Sequence, residues 1–279
     1  MSASCRRGPT CRGQPREKVY IVLYPNFLYA GPMSLALSPQ DFRRLERFLP
    51  MGMAPSEDAT PVERAAGALA QLVLSHRVTP GQKIPMDDIA SHIGASRTPV
   101  REALRRLETD GLVASLPNRG FIVRRMEPRD VRDLYEAREC IEAFCARTAA
   151  ARRTPAFVGE LRALHRMYAS VLAGRGDRRR LGMLVDKAFH VRIAEQAGNP
   201  HLTALLANMF DRLILTRPME DFPLDRMGTA VDEHALALAQ LESGTPRTFE
   251  AAVARNIHDG GAAILAHMES TRSLAFSPT

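Results

Sequence analysis

SRTPVREALRRLETDGLV, residues 96–113, is the stretch of the sequence that decides the fold. Three apolar residues recur in it at helical spacing and predict a buried stripe: Val100, Leu104 and Leu107. Three guanidiniums spaced i, i+4 and i+8 share another face of the same helix: Arg97, Arg101 and Arg105. Ser96 begins the helix and Gly111 ends it. The stretch therefore predicts a short amphipathic helix with one basic face.

The residues around this stretch predict a compact unit of three helices and a hairpin. Thr60-Pro61-Val62-Glu63 has Thr as N-cap, Pro at the first helical position and Glu at the third, which is typical of a helix start. A second, short helix is predicted over about 86–93, after the turn Thr79-Pro80-Gly81. Two strands then enclose the turn Pro117-Asn118-Arg119-Gly120, at 112–116 and 121–123. Three helices followed by a β-hairpin form a winged helix-turn-helix, which we assign to residues 56–125.

The basic face of the third helix is suited to DNA. Ser96 and Thr98 place hydroxyls and free backbone N–H groups at its N-terminus, where a phosphate docks. Arginine matches the O6/N7 edge of guanine when such a helix enters the major groove, and Arg119 in the hairpin reaches the neighbouring groove or backbone. The alternative is a solvated basic face with no ligand.

This segment closely resembles the DNA-binding signature of the GntR family of bacterial transcription regulators. The resemblance covers about residues 60–125 and includes the Pro80-Gly81 turn and the wing Asn118-Arg119-Gly120-Phe121. It implies base or phosphate contacts from the third helix and a wing contact: Arg97, Thr98 and Arg101, with Arg119 and Gly120. Asp87 and Asp88 stand where many relatives have Glu or Arg, so contacts from the second helix do not follow from the resemblance.

The second part of the chain, residues 128–271, predicts only helices. Their approximate bounds are 128–151, 155–173, 178–197, 200–216, 228–243 and 247–270. The predicted fold is therefore mainly α, with an antiparallel bundle of six to seven helices after the winged helix-turn-helix.

Three of these helices carry ionisable residues within their apolar stripes. Asp186 and His190 are four residues apart on one helix, while His234 and His258 lie on two others. A lone histidine on an apolar face is usually a hydrogen-bonded core residue. A carboxylate and three imidazoles that all point inward suit a borderline metal instead, with Zn preferred over Ni or Mn.

The same residues resemble the FCD domain, the C-terminal ligand-sensing domain of the FadR-like subgroup of the GntR family. The matching segments are Asp186-Lys-Ala-Phe-His190, Glu233-His234, His258, Ala197-Gly-Asn-Pro200 and Leu134-Tyr-Glu-Ala-Arg-Glu-Cys-Ile-Glu142. The resemblance implies a metal that helps to hold a small effector, commonly a carboxylate.

Arg138 lies on the inward stripe of the first bundle helix. A buried guanidinium needs an anion. Arg138 is therefore either a clamp for an effector carboxylate or the structural partner of an acid such as Glu142, four residues later.

Residues 1–55 follow neither pattern, and we interpret them as a disordered extension or an over-long gene product. The uncharged stretch Val19–Leu37 is interrupted by prolines and a glycine, so we expect no membrane span. Met51 and Met53 precede the first patterned helix and offer alternative starts. The net charge of +7 is concentrated towards the N-terminus. Four cysteines without a CxxC pair suit free thiols in the cytoplasm.

The sequence therefore predicts a metabolite-responsive transcription factor and no enzyme. We expect a repressor that binds a palindromic operator as a homodimer and loses or gains affinity when an organic acid binds at the metal. The alternatives are a metal-dependent hydrolase or lyase built on the bundle, and a regulator whose metal site is vestigial.

Overall fold

The computed structural model describes residues 39–50, 58–74, 77–175, 177–218 and 221–275. Over these ranges the chain is mainly helical with one small antiparallel sheet. The predicted fold, a winged helix-turn-helix followed by a helical bundle, is confirmed. No helix in the described ranges is both long and apolar enough to cross a membrane.

The first described element is helix α1, Pro39–Glu46. Leu45 and the following Phe48 are buried, and Arg47 Nη2 lies 3.1 Å from Glu195 Oε2 in the bundle. For residues 39–50 the prediction of a disordered extension is therefore wrong, because two apolar side chains three residues apart find a surface that covers them. Val19–Leu37, Met51 and Met53 lie outside the described residues.

The winged helix-turn-helix contains three helices and a hairpin: α2 (Pro61–Leu74), α3 (Met86–Ile93), α4 (Arg97–Thr109), β1 (Val113–Leu116) and β2 (Gly120–Val123). At the start of α2 the Thr60 N–H donates to Glu63 Oε2 at 2.8 Å, and the Glu63 N–H donates to Thr60 Oγ1 at 3.2 Å. The strands pair from Val113 opposite Val123 to Leu116 opposite Gly120. Asn118 and Gly120 have positive φ, which the tight hairpin turn requires.

The bundle contains six helices: α5 (Pro128–Ala151), α6 (Pro155–Ala173), α7 (Arg178–Ala197), α8 (Pro200–Leu215), α9 (Leu224–Ser243) and α10 (Pro246–Ala275). Four of them begin at a proline, whose fixed φ suits the first helical position. α9 begins about one turn earlier than the sequence predicts, at Leu224, directly after Pro223.

The two regions are joined where the linker meets α8. The Met126 N–H donates to the Thr216 carbonyl at 2.8 Å, just beyond the end of α8. The Met126 side chain is buried in an apolar cluster with residues from α5, α8 and α10, which are Val131, Leu134, Leu213, Ile264 and Met268. The linker is therefore anchored to the bundle by both its backbone and its side chain.

Two consecutive glycines in α10 allow it to pack closely against its neighbours. A Cβ at Gly261 would lie 2.9 Å from two atoms of the Tyr135 side chain on α5. A Cβ at Gly260 would lie 3.1 Å from Arg226 Nη2 on α9. Glycine weakens a helix interior. Two glycines here are explained by the close approach of Tyr135 and Arg226, for which a larger side chain would leave no room.

Gly261→Ala should destabilise the chain by about 1–3 kcal/mol, because the added methyl overlaps the base of the Tyr135 ring. The matched control is Gly228→Ala in α9, where a Cβ would meet nothing within 4 Å. The control should gain about 0.5–1 kcal/mol from helix propensity. Denaturant unfolding measures both variants, and equal stabilities would contradict the packing argument.

Candidate functional site

The basic face of α4 is exposed, as predicted, and Asp87 orients one end of it. Arg97 Nε lies 2.6 Å from Asp87 Oδ1, and its Nη2 donates to Asp87 Oδ2 at 2.9 Å. Both side chains are exposed, so the pair contributes little to stability. Its effect is to hold the Arg97 guanidinium over the N-terminal end of α4, beside the exposed Ser96 and Thr98.

Arg101 and Arg105 differ in whether their guanidiniums already contact other side chains. Among the described residues, Arg101 forms no ion pair and is exposed. Arg105 lies 2.9 Å from Glu108 and stacks on Phe121 of the hairpin, with its Cζ 5.4 Å from the ring centroid. Arg119 is exposed in the turn before Gly120. Arg101 therefore has the guanidinium that is most available on this face.

Three of the four predicted metal ligands meet inside the bundle. Asp186 Oδ1 lies 3.9 Å from His190 Nε2 and 3.4 Å from His234 Nε2. The two Nε2 atoms are 3.3 Å apart. Both imidazoles are buried, whereas Asp186 is partly exposed and lines a cavity. α7 and α9 thus bring three donor atoms to one point.

Neighbouring groups orient both imidazoles towards that point. Glu142 Oε2 lies 2.5 Å from His190 Nδ1, so the other ring nitrogen of His190 faces Asp186. His234 stacks on Phe189 with the ring centroids 4.0 Å apart. Burial, together with His190, holds the pKa of His234 well below its ordinary value, so this ring is neutral, as a ligand must be.

The donor set fits a divalent ion. Bonds of about 2.0–2.1 Å in a tetrahedron place ligand atoms about 3.3–3.4 Å apart. Two of the three separations, 3.3 and 3.4 Å, already match that value. Two imidazoles and one carboxylate suit a borderline metal and leave a position open for water or a ligand.

The fourth predicted ligand, His258, does not join the other three. His258 on α10 is 70% exposed, and its Nδ1 lies 3.2 Å from Glu139 Oε1 on the outside of the bundle. α10 instead faces inward through Val253, Ile257 and Ile264. The prediction followed a weaker apolar stripe of the same helix, and the inward face lies about 100° away. The polar residue that α10 contributes to the cavity is Asn256, which is buried.

Arg138 has the structural partner that was one of its two predicted roles, and it also reaches the cavity. Its Nε donates to Glu142 Oε1 at 2.7 Å, and both side chains are buried. Its Cζ lies 4.1 Å from the Phe210 ring centroid. The guanidinium also forms part of the cavity wall. An effector contact by Arg138 remains a prediction.

Sequence reasoning missed two further polar residues of the cavity wall. Arg226 donates from Nη2 to Glu233 at 2.7 Å and to the Asn256 carbonyl at 2.9 Å. The Asn256 side-chain N–H donates to Glu233 at 2.6 Å. Arg226 was missed because α9 was predicted to begin at 228. Asn256 was missed because the His258 stripe was chosen for α10.

Comparison with known proteins identifies the two regions. Residues 61–123 match the bacterial regulatory proteins of the gntR family, and residues 133–259 match the FCD domain. The Nta operon transcriptional regulator of Aminobacter aminovorans is 31% identical over 147 residues, which cover 52% of this chain and 68% of that protein. The chain belongs to the GntR family. The predicted resemblance is confirmed.

Other GntR-family proteins extend this result. The probable D-xylose utilization operon transcriptional repressor of Paenarthrobacter nicotinovorans is 30% identical over 185 residues, which cover 65% of this chain and 78% of that protein. The solved structure of McbR/YncC from E. coli matches with a TM-score of 0.65 and 21% identity, covering 75% of this chain and 99% of that one. At that identity the likeness shows the fold alone. This GntR-family chain is thus similar to transcription regulators.

Replacing His190 and His234 together with Ala should abolish zinc binding, because it removes two of the three donors. His258→Ala is the matched control and should retain zinc, since His258 faces outward. Elemental analysis after zinc loading and dialysis measures both. Full occupancy in the double variant, or loss in the control, would contradict the ligand set.

Proposed function

We propose that this chain is a DNA-binding repressor whose operator affinity is set by a small organic acid bound at a metal centre in the bundle. The proposal rests on one combination of features. The same chain has an exposed basic face on α4 and three potential metal ligands, Asp186, His190 and His234, that meet inside the bundle. The chain acts as a homodimer on a palindromic operator in the cytoplasm, because two-fold symmetry of the protein matches two half-sites.

Sequence-specific contacts come from the basic face of α4. Arg101 is exposed and forms no ion pair among the described residues. It can therefore bind a guanine edge without first breaking an ion pair with a carboxylate. Arg97, held by Asp87, and Arg105, beside Glu108, bind phosphate or base at either end of the same face. Ser96, Thr98, Arg119 and Gly120 supply backbone or phosphate contacts.

The effector site uses the donors that meet in the bundle. Asp186, His190 and His234 hold a divalent ion, with Zn preferred over Ni or Mn. The bound ion supplies an electrophilic position at which a carboxylate oxygen coordinates. Glu142 keeps His190 in its binding orientation, and Arg138 contributes positive charge at the cavity wall.

Helix α8 links the effector site to the reading helix. Leu213 and Ile214 line the cavity, and the Thr216 carbonyl just beyond them accepts the linker N–H of Met126. The Arg212 side chain packs against Gly111 at the end of α4, where a Cβ would lie 3.2 Å from Nε. A ligand that binds more tightly to one position of α8 therefore changes how often the winged helix-turn-helix occupies each of its orientations.

Two other functions predict different behaviour. A regulator with a vestigial metal site would respond to the acid equally well with and without zinc. A metal-dependent hydrolase or lyase would turn over a substrate in a screen of esters, amides and hydroxy acids. The match to transcription regulators over both regions favours the first proposal over a hydrolase or lyase.

Arg101→Ala should weaken specific operator binding by about 1–3 kcal/mol, because it removes a base contact. The matched control is Arg106→Ala on the same helix, since Arg106 pairs with Glu102 and lies off the basic face. The control should change affinity by less than about 0.5 kcal/mol. Fluorescence anisotropy on an operator selected from random DNA measures both, and an unchanged affinity for Arg101→Ala would exclude this base contact.

Zinc together with an effective organic acid should change operator affinity about 5- to 150-fold, the usual range for coupled sites. The acid without zinc should have little effect. Asp186→Asn should remove the response but leave affinity for the operator in the absence of the acid nearly unchanged. A response of equal size without zinc would favour the vestigial site.

A further inference from the structure

Two arginines near the cavity have buried donors that lack an acceptor. All three guanidinium nitrogens of Arg217 are buried without a well-formed hydrogen bond in the described part of the chain. The same holds for Nε and Nη1 of Arg226, although its Nη2 is fixed by Glu233 and the Asn256 carbonyl. A guanidinium buried in this way normally has an anion beside it.

The two guanidiniums lie at different depths from the cavity that Asp186 lines. Arg226 forms part of the cavity wall, and the absent side chain of Gly260 makes room for it. Arg217 lies one layer behind that wall. Its Cζ is 3.5 Å from the ring centroid of Phe222, which itself lines the cavity.

The three guanidiniums near the cavity have different partners. Arg138 is paired with Glu142, and Arg226 with Glu233. Burial lowers the pKa of Arg217 to about 10, while the Tyr135 side chain and the charge of Asp221 act in the opposite direction. At neutral pH Arg217 is still charged, so its positive charge adds to that of Arg226 beside the cavity.

We infer that the cavity binds a dianion, with one carboxylate at the metal centre and a second anionic group held by Arg226. This inference rests on the proposed effector role and specifies the class of effector. The charge of Arg217, which lies behind Phe222, adds to the attraction for that group. The cavity volume of about 70 Å³ fits only a compact molecule. Since one water needs about 10–15 Å³ on this measure, the space suits a dicarboxylate of about two to four carbons.

Calorimetric titration of the zinc-loaded full chain tests the inference with acids matched in carbon number. Malonate is compared with propionate, and succinate with butyrate. At least one dianion should bind about tenfold or more tightly than its monoanionic partner, because a second charge-assisted contact is formed. Equal affinities within both pairs would overturn the inference.

Arg226→Gln should remove that preference while changing the affinity for the monoanion less than about twofold. The matched control is Arg255→Gln, because Arg255 is exposed on α10 and 75% accessible. Gly260→Ala, which displaces Arg226, should lower the preference in the same way. Thermal melting of each zinc-loaded variant confirms that it is folded.

The outcomes separate this inference from the proposed function. If Arg226→Gln weakens both classes of acid equally, Arg226 does not select the second charge and the inference fails while the effector role survives. If zinc binds but no acid of either class does, the inference fails together with the proposed effector role.

Discussion

The paired contacts of the Glu142 carboxylate with Arg138 and His190 are the interactions on which the cavity depends. One of its oxygens accepts from Arg138 at 2.7 Å, and the other lies 2.5 Å from His190 Nδ1. Burial alone would raise the pKa of Glu142, but Arg138 and His190 hold it below its ordinary value, so the group is ionised. One buried charge therefore keeps a guanidinium in the core and fixes the direction of an imidazole of the proposed metal centre. Removing one partner of such a pair typically costs about 3–5 kcal/mol, since the other is left unpaired.

In the proposed function, one helical bundle both holds a ligand and connects it to the winged helix-turn-helix. The charged groups are held by α5, α7 and α9, while the apolar residues of α8 close the cavity. At its C-terminal end, α8 also contacts the linker at Met126 and packs against Gly111, just after α4. In the proposed function, a shift of α8 by a fraction of an ångström would move residues in both regions, because packed interiors do not deform gradually.

Most of the fold could be predicted from local signals. The capping box at Thr60, the prolines that begin bundle helices and the apolar spacing of α4 each act within a few residues, so they are visible in the sequence. The inward positions of His190 and His234 followed from the same spacing. His258 was misplaced because the apolar positions of α10 form two overlapping stripes, and the packing of the bundle buries the one with Val253, Ile257 and Ile264. The role of Arg226 depends on α9 meeting α10, which no local pattern encodes.

X-ray absorption at the zinc edge of the zinc-loaded chain tests the central claim most directly, because it counts the imidazoles bound to the ion. Two imidazole nitrogens are expected, with oxygen ligands completing the shell. The spectrum of His258→Ala is expected to be unchanged. A shell with three imidazoles, or one that contains sulfur, would contradict the centre formed by Asp186, His190 and His234.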